Sequence, residues 1–420
     1  MVNCNTVMKA LDQKRVLLGV TGGIAAYKSA QLVRRLRDIG AQVRVVMTEA
    51  AAGFVTPLTF QALSGHRVYT HLMAPDQEAA MDHISLARWA DVVLVAPATA
   101  NFLAKLTHGI ADDLLSTLCL SLESPLAVAP AMNQAMWSNP ATQENIKQLS
   151  ARGIRLFGPG IGAQACGEVG FGRMLEPDQL LERLAGVFAT GALAGCRVLV
   201  TAGPTREAID PVRYIGNRSS GKMGYSMAAA AAEAGARVLL VSGPVALSPP
   251  DGVECVEVES AAEMFGAVMS RVADFDILIA TAAVADYRPR VVAKQKIKKS
   301  ERPVGLDLEP TEDILAAVAK LELSPFTVGF SAETERLEEN TEAKRRKKSV
   351  DLMAANQVGV PNMGFDSDDN ALQLFWEGGN LVLMHAPKQR LARQLVAIVA
   401  QRYRLTRKRV ATHAGSLSDL

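Results

Sequence analysis

Cysteine is scarce in this sequence and poorly spaced for metal chemistry. Cys4, Cys119, Cys166, Cys196 and Cys255 lie scattered through 420 residues without one CxxC pair, which argues against a zinc ribbon and against a disulfide framework. A reducing cytoplasm is the expected compartment. Long apolar runs are missing too: none reaches the roughly 18 residues of a membrane span, and the first residues lack a basic segment leading into an apolar one and a cleavage site. A soluble, unexported protein with no membrane partner is expected. Charge of one sign is also absent. The 45 basic and 43 acidic residues leave a net charge of +2, which gives no general polyanion-binding signature, so nucleic acid is not an expected partner. What is present is a globular composition, 49% apolar and 21% charged, on a chain too long for one ordinary core; two domains are predicted.

Two familiar phosphate-binding signatures are incomplete. Gly216 through Lys222 satisfies GxxxxGK, but Met223 stands where a P-loop needs a Ser or Thr hydroxyl, and a long polar loop separates the glycines from the preceding strand. The first βα turn, Thr21-Gly22-Gly23, lacks GxGxxG. Each stretch nevertheless has the layout of an anion cradle, a strand followed by a loop and a helix start. Val198 to Thr201 leads into Ala202-Gly203-Pro204-Thr205 and then Ser219-Ser220-Gly221-Lys222-Met223-Gly224, which opens an Ala-rich helix. Val16 to Val20 leads through the paired glycines into a helix from Ile24 to Ile39, followed by a strand from Val43 to Met47, which predicts a parallel sheet with right-handed crossovers.

Further strands end in polar loops. Asp91 to Ala96 runs into Pro97-Ala98-Thr99-Ala100-Asn101, and Leu126 to Ala129 into Pro130-Ala131-Met132-Asn133-Gln134-Ala135-Met136-Trp137. Ligands of open parallel sheets lie beyond the carboxyl ends of the strands, where both loops fall; taken singly, Met132, Met136 and Trp137 read as core filling. Gly160 to Glu168 is rich in glycine, as a lid over a site would be, and carries Cys166. A helix from Pro177 to Ala189 and a small-residue linker, Thr190 to Gly195, precede the second domain. There a helix from Met223 to Ala234 and a strand from Val238 to Val241 repeat the βαβ pattern, and Ile277 to Ala280 runs into another polar turn, Thr281 to Arg288. Lys294-Gln295-Lys296-Ile297-Lys298-Lys299 follows; on composition alone it is a solvated basic loop, and beside acyl phosphate chemistry it is a charge stabiliser. Lys344 and Lys348 are four apart and share a helix face that could reach one triphosphate. Asn356 ends a strand from Leu352 to Ala355, and from Tyr403 the tail, basic and then small and polar, is expected to be disordered.

Taken together these motifs resemble a known family from about Lys14 to Arg402. The Arg197 to Gly224 stretch closely resembles the ligase half of the bifunctional phosphopantothenoylcysteine decarboxylase and phosphopantothenate-cysteine ligase family of bacterial coenzyme A synthesis. The Val20 to Ala25 run, the APATAN loop, PAMNQAMW and QACGExGxGRM resemble the FMN-dependent cysteine decarboxylases. The resemblance implies an α/β protein of two domains: residues 1–190 as a flavodoxin-like parallel sheet holding FMN, and residues 191–402 as a Rossmann-like ligase domain using CTP and magnesium, with 403–420 as a tail. It implies 4'-phosphopantothenate, cysteine and CTP as small-molecule substrates, and a homo-oligomer with a trimeric flavin domain and a dimeric ligase domain.

The residue roles follow from the same resemblance. Gly23, Ile24, Thr48, Thr99 and Asn101 correspond to flavin contacts, Asn133 to the binder of the substrate carboxylate, His83 to the active-site histidine and Cys166 to the proton donor of a substrate-recognition flap. Phe102 stands where a Thr is common. In the second domain Ala282, Ala283, Asp286, Thr311, Glu312, Asp313, Ile314, Phe330, Lys344 and Lys348 correspond to nucleotide contacts, Lys296 to the phosphoryl site and Asn217 to the acyl site, with Thr311-Glu312 in place of a frequent Asn-Pro. No metal ligand is assigned. A flavodoxin-like electron carrier would keep the flavin loops without needing His83, Cys166 or a second nucleotide domain; a regulatory subunit that inhibits a phosphatase is the other rival, and substrate turnover separates both from the enzyme.

Overall fold

The computed structural model describes residues 10–72, 82–165, 167–298, 305–333, 335–357 and 367–417. The chain divides into two compact units, Met1–Ala189 and Thr190–Leu420. In the first, β1 (Arg15–Val20), β2 (Gln42–Met47), β3 (Val68–Tyr69), β4 (Val92–Ala98), β5 (Leu126–Pro130) and β6 (Arg155–Leu156) form one parallel sheet in the order β3-β2-β1-β4-β5-β6. Setting aside the two-residue edge strand β3, this is the 2-1-3-4-5 order of flavodoxin-like sheets.

Both faces of that sheet are covered. Val16, Leu18, Val92 and Leu94 feed one apolar cluster, while their neighbours Leu17, Val93 and Val95 feed another on the opposite side. A strand buried on both sides has no reason to alternate, which is why β4 reads Val-Val-Leu-Val-Ala. The helix Ala26–Asp38 covers one face with Ala26, Leu32, Val33 and Leu36, and packs on the helix Pro177–Phe188. The latter starts sharply because Pro177 supplies a preset backbone angle at its first turn and Glu176 and Gln179 form a reciprocal capping box. Outside the sheet, β7 (Gly160–Ala163) and β8 (Val169–Arg173) pair as an antiparallel hairpin.

The second unit is built around β9 (Arg197–Ala202). Two short strands follow, β10 (Glu207–Ala208) and β11 (Tyr214–Ile215), paired with each other; then come β12 (Arg237–Ser242), β13 (Glu254–Glu257) and β14 (Ile277–Ala280). Another short pair is β15 (Tyr287–Pro289) with β16 (Leu308–Pro310). The remaining strands are β17 (Phe326–Glu333), β18 (Leu352–Gln357), β19 (Asp369–Trp376) and β20 (Gly379–Pro387). The main sheet runs β13-β12-β9-β14-β17-β18-β19-β20, parallel as far as β18 and antiparallel beyond it. Its parallel part has the 3-2-1-4-5-6 order of the Rossmann sheet, with a crevice where the order turns between β9 and β14.

One expectation is overturned. Residues 403–417 of the tail set down above as disordered continue the final helix, Lys388–Leu417, and residues 418–420 lie outside the described residues. Leu391, Leu395, Val396, Val399 and Tyr403 recur at helical spacing and are buried, and Tyr403 meets the Phe326 ring edge-on and donates to Asp276. Polar composition hid the docking of a helix that is apolar along one face. Among the described residues no helix is long and apolar enough to cross a membrane.

Candidate functional site

In the first unit the crevice lies between the carboxyl ends of β1 and β4, and Thr21 stitches its two walls. Its hydroxyl donates to the Pro97 carbonyl at 2.8 Å and accepts from the Thr99 amide at 3.1 Å, while Ser29 donates to the Ala96 carbonyl at 2.6 Å. Thr99 also caps the helix Ala100–His108 by accepting from the Phe102 amide, so the APATAN loop is fixed from both sides. The two glycines then divide their work. A Cβ at Gly22 would lie 2.5 Å from that of Ala50, so Gly22 is required for close packing; a Cβ at Gly23 would meet nothing nearer than the Thr99 methyl at 3.7 Å. A side chain at Gly23 would thus make only ordinary contacts, and Ile24 beside it is 61% exposed.

Thr48, just beyond β2, has a buried hydroxyl with no hydrogen-bond partner. Leaving such a group unsatisfied is unfavourable, and a hydrogen-bonding ligand at this edge would supply the partner. Asn101 is exposed on the helix that Thr99 caps. Phe102, at the position where a Thr is common, is 2% exposed within the apolar cluster on one face of the sheet. These features fit a flavin held by Thr48, Thr99 and the backbone at Gly23.

The β7–β8 hairpin is seated on the loop after β5. Met132 donates its amide to the Gly172 carbonyl at 3.0 Å, and Gln164 bridges the Gln134 amide and the Phe171 carbonyl. Glycine is needed at the contact. Gly172 has φ +126°, and a Cβ there would fall 2.3 Å from the Met132 carbonyl oxygen; at Gly170 it would collide with the Gln134 side chain. Asn133 caps the short helix Gln134–Ser138 through its oxygen and donates its amide nitrogen to the Glu168 carboxylate at 2.6 Å. The amide thus already grips a carboxylate of the flap, the interaction expected of it with a substrate carboxylate. Cys166 lies outside the described residues. His83 is half-buried on the helix Asp82–Trp89, and no hydrogen bond joins it to Asn133 among the described residues.

Sequence reasoning missed Lys28. Its ammonium is buried and donates to the Met174 carbonyl at 2.9 Å and to Glu176 at 2.8 Å, tying the helix after the glycine turn to the foot of the hairpin. Hydrogen bonding from Lys28, and from Arg173, holds Glu176 below the usual carboxylate range against the effect of burial. A lysine in register with Ala26, Leu32, Val33 and Leu36 on the buried face of this amphipathic helix was the available signal.

In the second unit the loops after β9 and β14 meet. Pro204 and Ala283 form a parallel bridge, the Ala283 amide donates to the Gly203 carbonyl at 2.9 Å, and the Ala285 amide donates to the Thr205 hydroxyl at 2.9 Å. Asn217 joins them, donating to the Val284 carbonyl at 2.8 Å. The helix Lys222–Glu233 approaches so closely that a Cβ at Gly224 would overlap Thr281 and Ala202. Ala282, Ala283, Asp286 and Asn217 are thereby gathered at one sheet edge, with Thr311 bonded to the carbonyls of Ala285 and Asp286.

The nucleotide candidates beyond that edge divide. Asp313 caps the helix Ile314–Ala319 and pairs with Lys348 at 2.7 Å; Lys344 pairs with the buried Glu333 at 2.6 Å. Burial would raise both carboxyls, but the lysines and local hydrogen bonds hold them below their ordinary values. Glu312 faces Arg288 at 3.8 Å, Phe330 is half-buried, and the Ile314 side chain lies in the apolar core. Lys296, Val212, Arg213, Ile297 and Lys298 line an open cavity of about 510 Å³.

Comparison with known proteins covers both units. Residues 5–189 match the family described as Flavoprotein, and residues 193–403 match the DNA/pantothenate metabolism flavoprotein C-terminal domain. The coenzyme A biosynthesis bifunctional protein CoaBC of Vibrio parahaemolyticus is 53% identical over 92% of this chain and 97% of its own length. Its counterpart in Escherichia coli strain K12 is 50% identical over 94% and 98%, and that of Bacillus subtilis strain 168 is 46% identical over 88% and 92%. With identity of this level running through both units, the chain belongs to the family of coenzyme A biosynthesis bifunctional proteins.

Proposed function

We propose that the second unit joins 4'-phosphopantothenate to cysteine and that the first decarboxylates the product, 4'-phosphopantothenoylcysteine, to 4'-phosphopantetheine. The observation that carries this reading is the continuous similarity to bifunctional relatives across both units. A carboxylate is a poor acyl donor, so ligation begins by attaching the phosphopantothenate carboxylate to CMP from CTP, releasing pyrophosphate. Lys296 stabilises the charge developing on the phosphoryl oxygens, and magnesium arrives with the triphosphate. The amine of cysteine then attacks the acyl-cytidylate and displaces CMP, with Asn217 polarising the carbonyl. Lys344 and Lys348 exchange Glu333 and Asp313 for the nucleotide phosphates.

Loss of CO2 from a cysteine amide needs somewhere for the electrons to go. Gly23, Ile24, Thr48, Thr99 and Asn101 would hold FMN, which when bound would provide the reversible two-electron sink that this chemistry needs. Asn133 binds and orients the carboxylate that departs. His83 acts as base or as a second carboxylate-orienting group, and Cys166 delivers the last proton. The buried, unpaired Thr48 hydroxyl supports a ligand at this edge.

The test supplies 4'-phosphopantothenate, cysteine, magnesium and either CTP or ATP, and follows the masses formed. Phosphopantetheine from CTP is expected. Release of pyrophosphate with no cysteine adduct, or an adduct that never loses CO2, removes one of the two activities.

A further inference from the structure

We propose that Asp210 is the positioning residue of the basic loop, an ionised latch that holds Lys296 beside the cavity. The inference rests on the role given to Lys296 above. Asp210 lies between β10 and β11, is 2% exposed, and accepts four hydrogen bonds. Three are local: the amides of Val212 and Arg213 at 2.8 and 2.9 Å, and the Arg213 guanidinium at 3.0 Å. The fourth comes from the Ile297 amide at 3.1 Å, the residue next to Lys296 and far away in sequence.

The loop is fastened at further points. Arg213 donates to the Ile297 carbonyl while paired with Asp210 at 2.7 Å, and the Ala293 amide donates to the Ile209 carbonyl at 3.0 Å. Lys294, Gln295 and Lys296 are exposed between these fastenings, whereas Ile297 is half-buried. A lysine side chain has many rotamers, so anchoring its backbone on either side confines where its charge can reach. Among the described residues, the hydrogen bonds at Ile297 run to Asp210 and to the guanidinium that Asp210 orients. A hairpin-only role would need the local bonds and not the distant one. Burial alone would raise the Asp210 carboxyl, yet the amides of Val212, Ile297 and Arg213 and the guanidinium bring it down to about 2, so the latch is charged throughout the neutral range.

Pyrophosphate release from CTP in the presence of phosphopantothenate and magnesium, without cysteine, tests the latch in the full chain as a double-mutant cycle. Asp210→Asn should slow release about tenfold, the scale expected when a reacting group is misplaced. Lys296→Gln should slow it about a hundredfold, and the double variant should be no slower than Lys296→Gln, because the latch has nothing left to position. A purely structural Asp210 would slow both backgrounds equally, and that outcome overturns the latch while leaving Lys296 in place. An Asp210→Asn enzyme of undiminished rate also overturns it. If Lys296→Gln releases pyrophosphate at full rate, the role of Lys296 falls and the inference with it. Should Asp210→Asn fail to fold, Ile297→Pro, which removes the amide that the carboxylate accepts, runs the same cycle.

Discussion

The parallel strands of the two sheets turn their order at corresponding places, beside β1 and β4 in the first unit and beside β9 and β14 in the second, and carry different chemistry there. The first is walled by hydroxyls, backbone and glycine: Thr21 and Thr99 stitch the loops, Thr48 waits without a partner, and Gly172 lets the flap touch Met132. The second unit sets ion pairs on the elements that follow its strands, with Lys344 on Glu333, Lys348 on Asp313, Arg288 on Glu309 and Arg213 on Asp210. On the proposed reading this difference follows the reactions. Moving electrons between a bound flavin and a substrate calls for fixed distances, which close packing provides. Transferring a nucleotidyl group develops charge on phosphoryl oxygens, which calls for cations held ready to meet it.

The largest effect that would sharpen this contrast is expected from Lys296→Gln. Loss of about 3 kcal/mol of transition-state stabilisation should cut pyrophosphate release a hundredfold or more, while decarboxylation of supplied phosphopantothenoylcysteine continues at its full rate. Parallel loss of both activities would mean that the two sites are not independent. Next comes Gly172→Ala. A side chain at φ +126° and 2.3 Å from the Met132 carbonyl oxygen must shift the flap. Backbone strain of about 1–3 kcal/mol makes a decarboxylation rate about tenfold lower the expected outcome, with ligation unchanged. Normal turnover of phosphopantothenoylcysteine by that variant would show that the seat of the flap on Met132 is dispensable.

Thr48→Val should act more modestly and in opposite directions on two readouts. Removing an unpaired buried hydroxyl leaves the flavin-free protein as stable or slightly more stable, while a lost hydrogen bond of about 1 kcal/mol weakens flavin binding about fivefold. Fluorescence titration with FMN and a melt of the flavin-free chain measure both; unchanged affinity would take Thr48 out of the flavin site.

A further effect concerns acid and lies outside the neutral range. Because the folded Asp210 carboxyl lies at about 2 and its ordinary value is 3.8, the unfolded chain binds the proton first as pH falls. Its stabilisation is complete above 3.8 and is lost as the pH drops through about 2. Thermal melts across that window should decline less steeply for Asp210→Asn than for the parent. Equal slopes would mean that the buried carboxylate does not couple folding to pH.

Much of this architecture was legible from short-range pattern. Val16 to Val20, the Gly22-Gly23 turn and the following helix, and the matching run from Val198 to Gly224, specify strands, loops and helices through neighbours a few residues apart, because backbone geometry and burial periodicity act locally. The order of motifs likewise placed the candidate residues at strand ends. What only the tertiary structure decided are the partners drawn from distant sequence. Lys344 and Lys348, read as sharing one helix face that could reach a triphosphate, each hold a carboxylate from another element. Phe102 and Ile314 turned out to be core. Tyr403 and Arg407 belong to a docked helix and both meet Asp276. Asp210 in the β10–β11 hairpin meets Ile297 only when the chain is folded. In each case the deciding interaction is desolvation or charge pairing between segments with no local relation, and no spacing rule along the chain carries that information.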